Sequence, residues 1–333
     1  MQPTISVLMP MYNAEKLVSR CLAPLLEMKQ GGEIAEILVV DDCSTDASPS
    51  IVSKMDVRVI RTPQQGGPGA ARNLGVLETQ GDVVWFVDSD VIVADDAARQ
   101  VAAGFDEDGV GAVFGSYDES PGANNFLSQY KNLVHHYYHQ GGREDASTFW
   151  AGCGAVRKEV FLDVGGFDVE SYPYPSIEDI ELGYRIREAG HRIRLIPNLQ
   201  GTHLKDWRFV NLIHTEVFRR AIPWSRLMLR SNQMTDDLNV GIAERLRATL
   251  AGAGALSFIA WLVGLVPGWL VTVAFAVVAL ANVRFLTFFY RRRGPLFSLR
   301  AFLFHQLYYL YSSAAFAFAF LEHMFTRSKS PTA

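Results

Sequence analysis

Up to His203 the chain alternates short, unbroken apolar runs with longer stretches whose apolar residues recur at helical spacing. Ile5-Ser6-Val7-Leu8-Met9 reads as a first strand that ends at Pro10-Met11-Tyr12-Asn13. Leu17, Val18, Cys21, Leu22, Leu25 and Leu26 then follow a helical period, with a kink expected at Pro24. Ile37-Leu38-Val39-Val40 is a second strand closed by Asp41-Asp42, and Ser44-Thr45-Asp46 can cap the helix after it. Val57-Arg58-Val59-Ile60 is a short third strand, followed by Gly66-Gly67-Pro68-Gly69-Ala70-Ala71-Arg72-Asn73, a glycine-rich turn opening another helix. The most apolar run, Val83-Val84-Trp85-Phe86-Val87, reads as a strand buried on both faces, and it stops at Asp88-Ser89-Asp90. This alternation with short connections predicts an α/β fold with a parallel, doubly wound sheet.

Farther on, Val110 to Phe114 predicts a strand, Phe126 to His139 an amphipathic helix, and Trp150 to Val156 a small-residue strand. The helix carries His135, His136 and His139, but their spacing puts His136 off the face shared by the other two. A polar or membrane-facing surface is expected there rather than a metal cluster. After the turn Gly165-Gly166-Phe167-Asp168, the stretch from Ile177 to Ile186 is a helix whose acids Glu178 and Asp179 lie in its first turn, where they favour the helix dipole. His191 to Ile196 is expected to close the fold as an edge strand, with His203 shortly after it.

The last third has another pattern. Lys205 to Arg230 mixes Lys205, Arg208, Arg219, Arg220, Arg226 and Arg230 with Phe209, Leu212, Ile213, Val217, Phe218, Ile222 and Trp224. A basic amphipathic stretch of this kind predicts a helix in an anionic membrane interface. No charged residue occurs between Arg247 and Arg284, and Ala248 to Val266 has about the ~20 apolar residues that a bilayer span needs. Pro267-Gly268 makes a turn, Trp269 to Tyr290 continues apolar, and Ala301 to Leu321 is a third apolar stretch that either spans or lies in the interface. Arg245 and Arg247 before the hairpin and Arg291-Arg292-Arg293 after it place both ends on the cytoplasmic side. The expected organisation is a catalytic domain over 1–204, an interfacial segment over 205–247, membrane helices within 248–325 (248–266, 269–290 and 301–321) and a tail over 326–333.

Composition narrows the function. A chain of 333 residues exceeds one catalytic domain of roughly 200–250 residues. Its net charge of −4 gives no general affinity for nucleic acid. Cys21, Cys43 and Cys153 are scattered without a C-x-x-C pair, which disfavours a disulfide framework or structural zinc and suits a reducing compartment. No signal peptide is expected, because strand pattern begins at Ile5.

In open α/β sheets ligands bind beyond the carboxyl ends of strands, where Asp88 and Asp90 stand. In an extended segment their side chains would point the same way, and a divalent ion on substrate phosphates would relieve their repulsion. The glycine-rich turn lacks G-x-G-x-x-G spacing and a Walker lysine, so it is read as a flexible turn carrying Arg72 near substrate phosphates.

Strand-P-M-Y-N, V-V-D-D-C-S-T-D, G-A-A-R-N-L-G, F-V-D-S-D, G-G-F-D and E-D-I-E-L-G-Y-R, in this order, together resemble the family 2 glycosyltransferases. The resemblance covers Ile5 to His203 and implies a GT-A fold and inverting sugar transfer from a nucleotide-diphosphate donor, UDP-linked by family precedent. It implies that Asp42 hydrogen-bonds the donor base with Pro10 and Tyr12 beside it. Asp90 would bind a Mn2+ or Mg2+ ion on the diphosphate, supported by Asp88 and His203. Asp179 would be the catalytic base and Glu178 its neighbour. Trp150 and Gly152 are placed on the acceptor side. A one-step inversion needs a base for the acceptor hydroxyl and a cation for the leaving diphosphate, which separate acids can supply. The Q-x-x-R-W of processive synthases is absent; Phe218-Arg219-Arg220-Ala221-Ile222-Pro223-Trp224 is the nearest stretch, so single-sugar transfer is expected.

The expected protein is therefore a multi-pass enzyme of the inner (plasma) membrane serving cell-envelope glycan synthesis, with a cytoplasmic catalytic domain and a lipid or lipid-linked saccharide acceptor. The rival readings are a catalytically inactive membrane scaffold and a metal-dependent nucleotidyltransferase. The latter would need a basic glycine-rich signature where Pro10-Met11-Tyr12-Asn13 stands. The sugar and the oligomeric state are not legible.

Overall fold

The computed structural model describes residues 3–231 and 236–327. The chain divides into two compact units after Arg208.

In the first unit β1 (Ile5–Met11), α1 (Val18–Gln30), β2 (Glu36–Asp41), α2 (Ser48–Val52), β3 (Arg58–Arg61), α3 (Gly67–Glu78) and β4 (Val83–Val87) alternate as the apolar pattern predicts. Then come β5 (Val91–Val93), α4 (Ala97–Gly104), β6 (Val110–Tyr117), α5 (Phe126–Gln140), β7 (Asp145–Ala146), β8 (Cys153–Arg157), α6 (Lys158–Asp163), α7 (Glu178–Glu188) and β9 (Arg192–His203). The strand order is β3-β2-β1-β4-β8-β6-β9-β5, with β7 on β9. Val7, Leu8, Met9, Trp85 and Phe86 are fully buried at its centre, each contributing about 1.5–3 kcal/mol by leaving water.

Two expectations need correction. The sheet is parallel through β3, β2, β1 and β4, but β8 runs antiparallel to both β4 and β6. Its small residues let it fill the gap between two strands without a crossover of its own. The stretch after His191 is not an edge strand either. β9 runs on through Pro197 to His203, between β6 and β5. Pro197 hides this in the sequence, because a proline argues against an inner strand. The β6–β9 register shifts between Phe114 and Ser116, pairing Leu195 and then Gln200, and that irregularity accommodates it.

The second unit is helical. It contains α8 (Phe209–His214), a π-helical segment Thr215–Ala221, α9 (Ile222–Ser231), a 3-10 turn Leu238–Val240, α10 (Ile242–Leu262), α11 (Gly268–Ala281) and α12 (Val283–Arg327), the last broken at Gly294. Buried Glu244 joins Arg247 and accepts the Tyr309 hydroxyl at 2.6 Å, while Arg226 pairs with Glu322 at 2.7 Å.

Among the described residues no single helix is long and apolar enough to cross a membrane. Gly268–Ala281 and Val283–Thr326 meet the length and composition together, bent by 69°. The expected 248–266 segment lies in α10 only up to Leu262, and α10 begins earlier and takes Glu244, Arg245 and Arg247 into its first turns. The expected 269–290 segment is divided at Asn282, whose side-chain amide donates to Val278 O at 2.9 Å and closes α11. The 301–321 stretch is part of α12, and residues 328–333 of the expected tail lie outside the described residues. Leu256, Ile259, Leu262, Val263, Leu265 and Trp269 are each more than half exposed.

Candidate active site

The first four strands end on one side of the sheet, and their loops carry the motifs. β1 and β2 are each followed by a left-handed residue, Asn13 (φ 50°) and Cys43 (φ 62°). Such conformations are costly for non-glycine residues and persist where their surroundings fix them. Here the loops clip each other: Asn13 N donates to Ser44 Oγ at 3.0 Å, and Thr45 N donates to Asn13 Oδ1 at 2.8 Å. The clip leaves Tyr12 exposed at the end of β1, while Pro10 is buried within the strand.

Asp42 lies beside Tyr12 at the ends of paired strands, and Asp42 N donates to Met11 O at 2.8 Å. Its carboxylate is 3% exposed and accepts from Thr62 Oγ1, Gly66 N and Gly67 N at 3.0, 2.9 and 2.8 Å. The resemblance gives Asp42 a hydrogen bond to the donor base; in the structure its oxygens also hold the glycine-rich turn against β2. Gly67 has φ +80°, and a Cβ there would meet the Pro173 carbonyl at 3.0 Å. Glycine lets the turn present both amides to one carboxylate. It is a fixed turn, not a flexible one.

The role expected of Arg72 is corrected as well. Its guanidinium is 4% exposed and bridges two carboxylates, Asp88 at 2.7 Å and Glu178 at 3.5 Å. It also lies over the Phe167 ring at 5.3 Å. It is consumed inside the protein rather than offered to phosphates. Asp88, which the resemblance puts beside the metal, has one carboxylate oxygen paired with Arg72. Strand β4 ends at Val87 and residues 88–90 form a turn, with Val91 N donating to Asp88 O at 3.0 Å, so the extended geometry assumed for D-x-D does not hold.

Asp90 instead faces His203, with Nε2 3.5 Å from Oδ2, because β5 pairs with the end of β9. Burial alone would raise the Asp90 pKa, but His203, with Lys205 behind it, brings it below the ordinary carboxylate value. Asp88 shifts the other way: burial and the Asp90 charge outweigh Arg72. Among the described residues no three His, Cys, Asp or Glu side chains group closely enough to hold a metal by themselves. One carboxylate and one imidazole do fit a cation that takes its other ligands from phosphate oxygens and water, as magnesium-type ions do.

Asp179 stands in the first turn of α7, and its Oδ2 accepts from Ala151 N at 3.1 Å. Trp150 and Gly152 flank that amide. A Cβ on Gly152 would come within 2.5 Å of the Trp150 ring, so glycine is what lets the indole fold back over the chain. Both expected acceptor-side residues are thus brought to Asp179.

Glu178, buried behind it, accepts from Ser176 N at 2.8 Å. Burial and then the Asp179 charge push its pKa up to about 7, against Arg72 and the Ser176 amide. The folded state then binds a proton that the unfolded chain has released, so stability falls as pH rises from 4.5 towards 7. Urea unfolding of Glu178→Gln across that range is expected to show a flatter pH dependence than the wild type. An unchanged slope would remove Glu178 as its source.

The histidines of α5 form no open surface, which corrects that expectation. His136 and His139 are 4% and 6% exposed, because the carbonyls ending β6 require donors. His139 Nδ1 lies 2.8 Å from Gly115 O, and burial lowers its pKa to about 4. His136 Nδ1 lies 2.7 Å from Tyr117 O. Tyr117 was not singled out in the sequence. It stacks on His203 with centroids 4.3 Å apart and planes 6° apart, and Trp150 meets it edge-on at 4.8 Å. Gly115 and Ser116 end the apolar run before Tyr117 and hide it in the sequence. Burial pushes the Cys21 and Cys153 thiols up to about 12, so neither offers a thiolate.

Residues 6–165 match the profile of Glycosyl transferase family 2. A "Probable glycosyltransferase YdaM" of Bacillus subtilis (strain 168) is 28% identical over 210 residues, 59% of this chain and 49% of that protein. A "Pre-mycofactocin glycosyltransferase" of Mycobacterium tuberculosis is 28% identical over 218 residues, 61% of this chain and 44% of its own length. The chain thus spans about half or less of the curated relatives it matches. Among solved structures, a mannosyltransferase from Pyrobaculum calidifontis in complex with GDP-Man and Mn2+ is similar with a TM-score of 0.64 at 19% identity, covering 95% of this chain and 88% of that one. The mixed, mostly parallel sheet with its flanking helices is the GT-A fold. The first unit of this chain carries a family 2 glycosyltransferase domain.

Proposed function

We propose that this chain is a membrane-bound inverting glycosyltransferase that moves one sugar from a nucleotide-diphosphate donor, UDP-linked, to a lipid or lipid-linked saccharide. One contact carries the reading: Arg72 ties the Asp88-Ser89-Asp90 turn to the Glu178-Asp179 helix, and so sets a diphosphate end beside a base. The donor base lies at the ends of β1 and β2, against exposed Tyr12, with Asp42 fixing the turn that closes it. Asp90 and His203 would hold a divalent cation, and a Mn2+ ion accompanies the nucleotide sugar in the Pyrobaculum enzyme. When bound, it supplies positive charge to the departing diphosphate. Asp179 takes the acceptor hydroxyl proton, oriented by the Ala151 amide, and Trp150 offers the acceptor an aromatic wall. No residue forms a covalent intermediate, so one displacement inverts the anomeric centre.

The second unit supports the membrane half of the proposal. Its exposed apolar residues on α10, α11 and α12 suit hydrocarbon, and the run Arg291-Arg292-Arg293 favours, by the positive-inside trend, a cytoplasmic catalytic unit at the inner membrane. Purified full-length protein given radiolabelled UDP-sugars, Mn2+ and a bacterial lipid extract is expected to move label into the chloroform phase. Label transferred only to water-soluble glycans would refute the lipid acceptor.

A further inference from the structure

From Arg245 to Leu321 the chain contains no acidic residue, yet Arg284, Arg291, Arg292, Arg293 and Arg300 all lie within it. The flanking acids are engaged elsewhere, Glu244 with Arg247 and Glu322 with Arg226. Arg284, Thr287, Phe288, Arg291 and Arg292 recur at i, i+3, i+4, i+7 and i+8 on α12, which puts them on one helical face. With Val283 they line an open groove of about 320 Å³, at the small end of ligand-site volumes. The Arg292 guanidinium lies over the Phe288 ring at 4.0 Å, which holds it in place. Arg284 and Arg291 form no ion pair among the described residues. A groove with three guanidinium groups and a hydroxyl, and no carboxylate, fits the oxygens of a phosphate.

We propose that this groove binds the phosphate of an anionic membrane lipid. Exposed apolar side chains in the same stretch of chain favour a lipid over free phosphate: Leu280, Val283, Tyr290, Leu296 and Leu299 are 71%, 53%, 59%, 70% and 53% exposed. Charged donors accompanied by apolar side chains and an aromatic match a headgroup with its acyl chains beside it. The inference rests on the membrane-bound reading above and adds a defined lipid site to it.

The test uses full-length protein in a neutral detergent, titrated with dioctanoyl phosphatidylglycerol, dioctanoyl phosphatidylcholine or inorganic pyrophosphate and read by native mass spectrometry. Phosphatidylglycerol should bind at least tenfold more tightly than the other two. The triple variant R284Q/R291Q/R292Q should lose on the order of 100-fold, about fivefold per arginine. The lysine triple R284K/R291K/R292K should retain most of the affinity. The single change Arg291→Gln, expected to cost about fivefold, keeps the test open should the triple variant not fold. Equal binding of the two lipids, an unaffected glutamine variant, or pyrophosphate binding as tightly as the anionic lipid would each overturn the proposal. Flotation of wild-type protein with phosphatidylcholine vesicles separates the two readings. Flotation without anionic selectivity defeats the lipid site alone, and failure to float with any vesicle defeats the membrane-bound reading and the site with it.

Discussion

Asp179→Asn is expected to lower sugar transfer by a factor of about 10²–10⁴, the usual contribution of a positioned general base, with little change in donor affinity. The amide keeps the shape of the carboxylate and can still accept from Ala151 N, so the first turn of α7 should be preserved. What disappears is the ability to take a proton. Donor affinity is insulated because the diphosphate end is assigned to Asp90, in the turn before β5, and His203, at the end of β9. The measurement is kcat and donor KM by coupled UDP release, beside the Kd for UDP. Transfer within a few fold of wild type would show that the base lies elsewhere; a comparable loss of UDP affinity would make Asp179 a binding residue instead.

Arg72→Met is expected to destabilise the first unit by about 3–5 kcal/mol, the cost of stranding buried charge when one partner of an ion pair is removed. The guanidinium is the cation between Asp88 and Glu178, and Asp179 adds to the field that favours its charge. Removal leaves Glu178, 6% exposed, without its counter-charge. A fall in Tm of about 10 °C corresponds to that loss in a unit of this size. Arg72→Lys should recover little, because one ammonium group cannot span two carboxylates as the planar fork does. Adding Glu178→Gln to Arg72→Met should restore part of the stability, since one stranded charge is then removed. A Tm for Arg72→Met within a degree or two of wild type would mean that the bridge contributes nothing net.

The sequence was most informative where one physical demand acted alone. Val83 to Val87 and Ile37 to Val40 had to be buried strands, since nothing else hides such runs, and the acids after them had to lie at the sheet's ligand edge. The positions of Asp90 just beyond a strand and of Asp179 in a helix start were legible from the apolar pattern. His203, expected after the last strand, ends it instead, and the roles of all three come from the family resemblance. Roles set by partners distant in the chain were not legible. Arg72 looked like a phosphate ligand, but its environment is fixed by Glu178, more than a hundred residues away, and by the turn that swings Asp88 towards it. The two glycine amides that donate to Asp42 come from the turn that opens α3, more than twenty residues on, and were hidden for the same reason. Tyr117 and the α5 histidines sit where β6, α5 and β9 meet, and no periodicity within one segment reports such a meeting. In the second unit hydropathy found the apolar stretches and left Gly294 between two of them, but missed the break at Asn282, which ends a helix through its own side-chain hydrogen bond.

The most direct test of the central claim is calorimetric titration of UDP and GDP, and of their common sugar conjugates, into detergent-solubilised full-length protein. Each titration is run with and without Mn2+, on the wild type and on Asp90→Ala. One nucleotide is expected to bind in a manganese-dependent way, with UDP favoured, and the dependence should disappear in Asp90→Ala while the protein stays folded. Absence of nucleotide binding under every condition would contradict the central claim and leave a scaffold that keeps the fold without the chemistry.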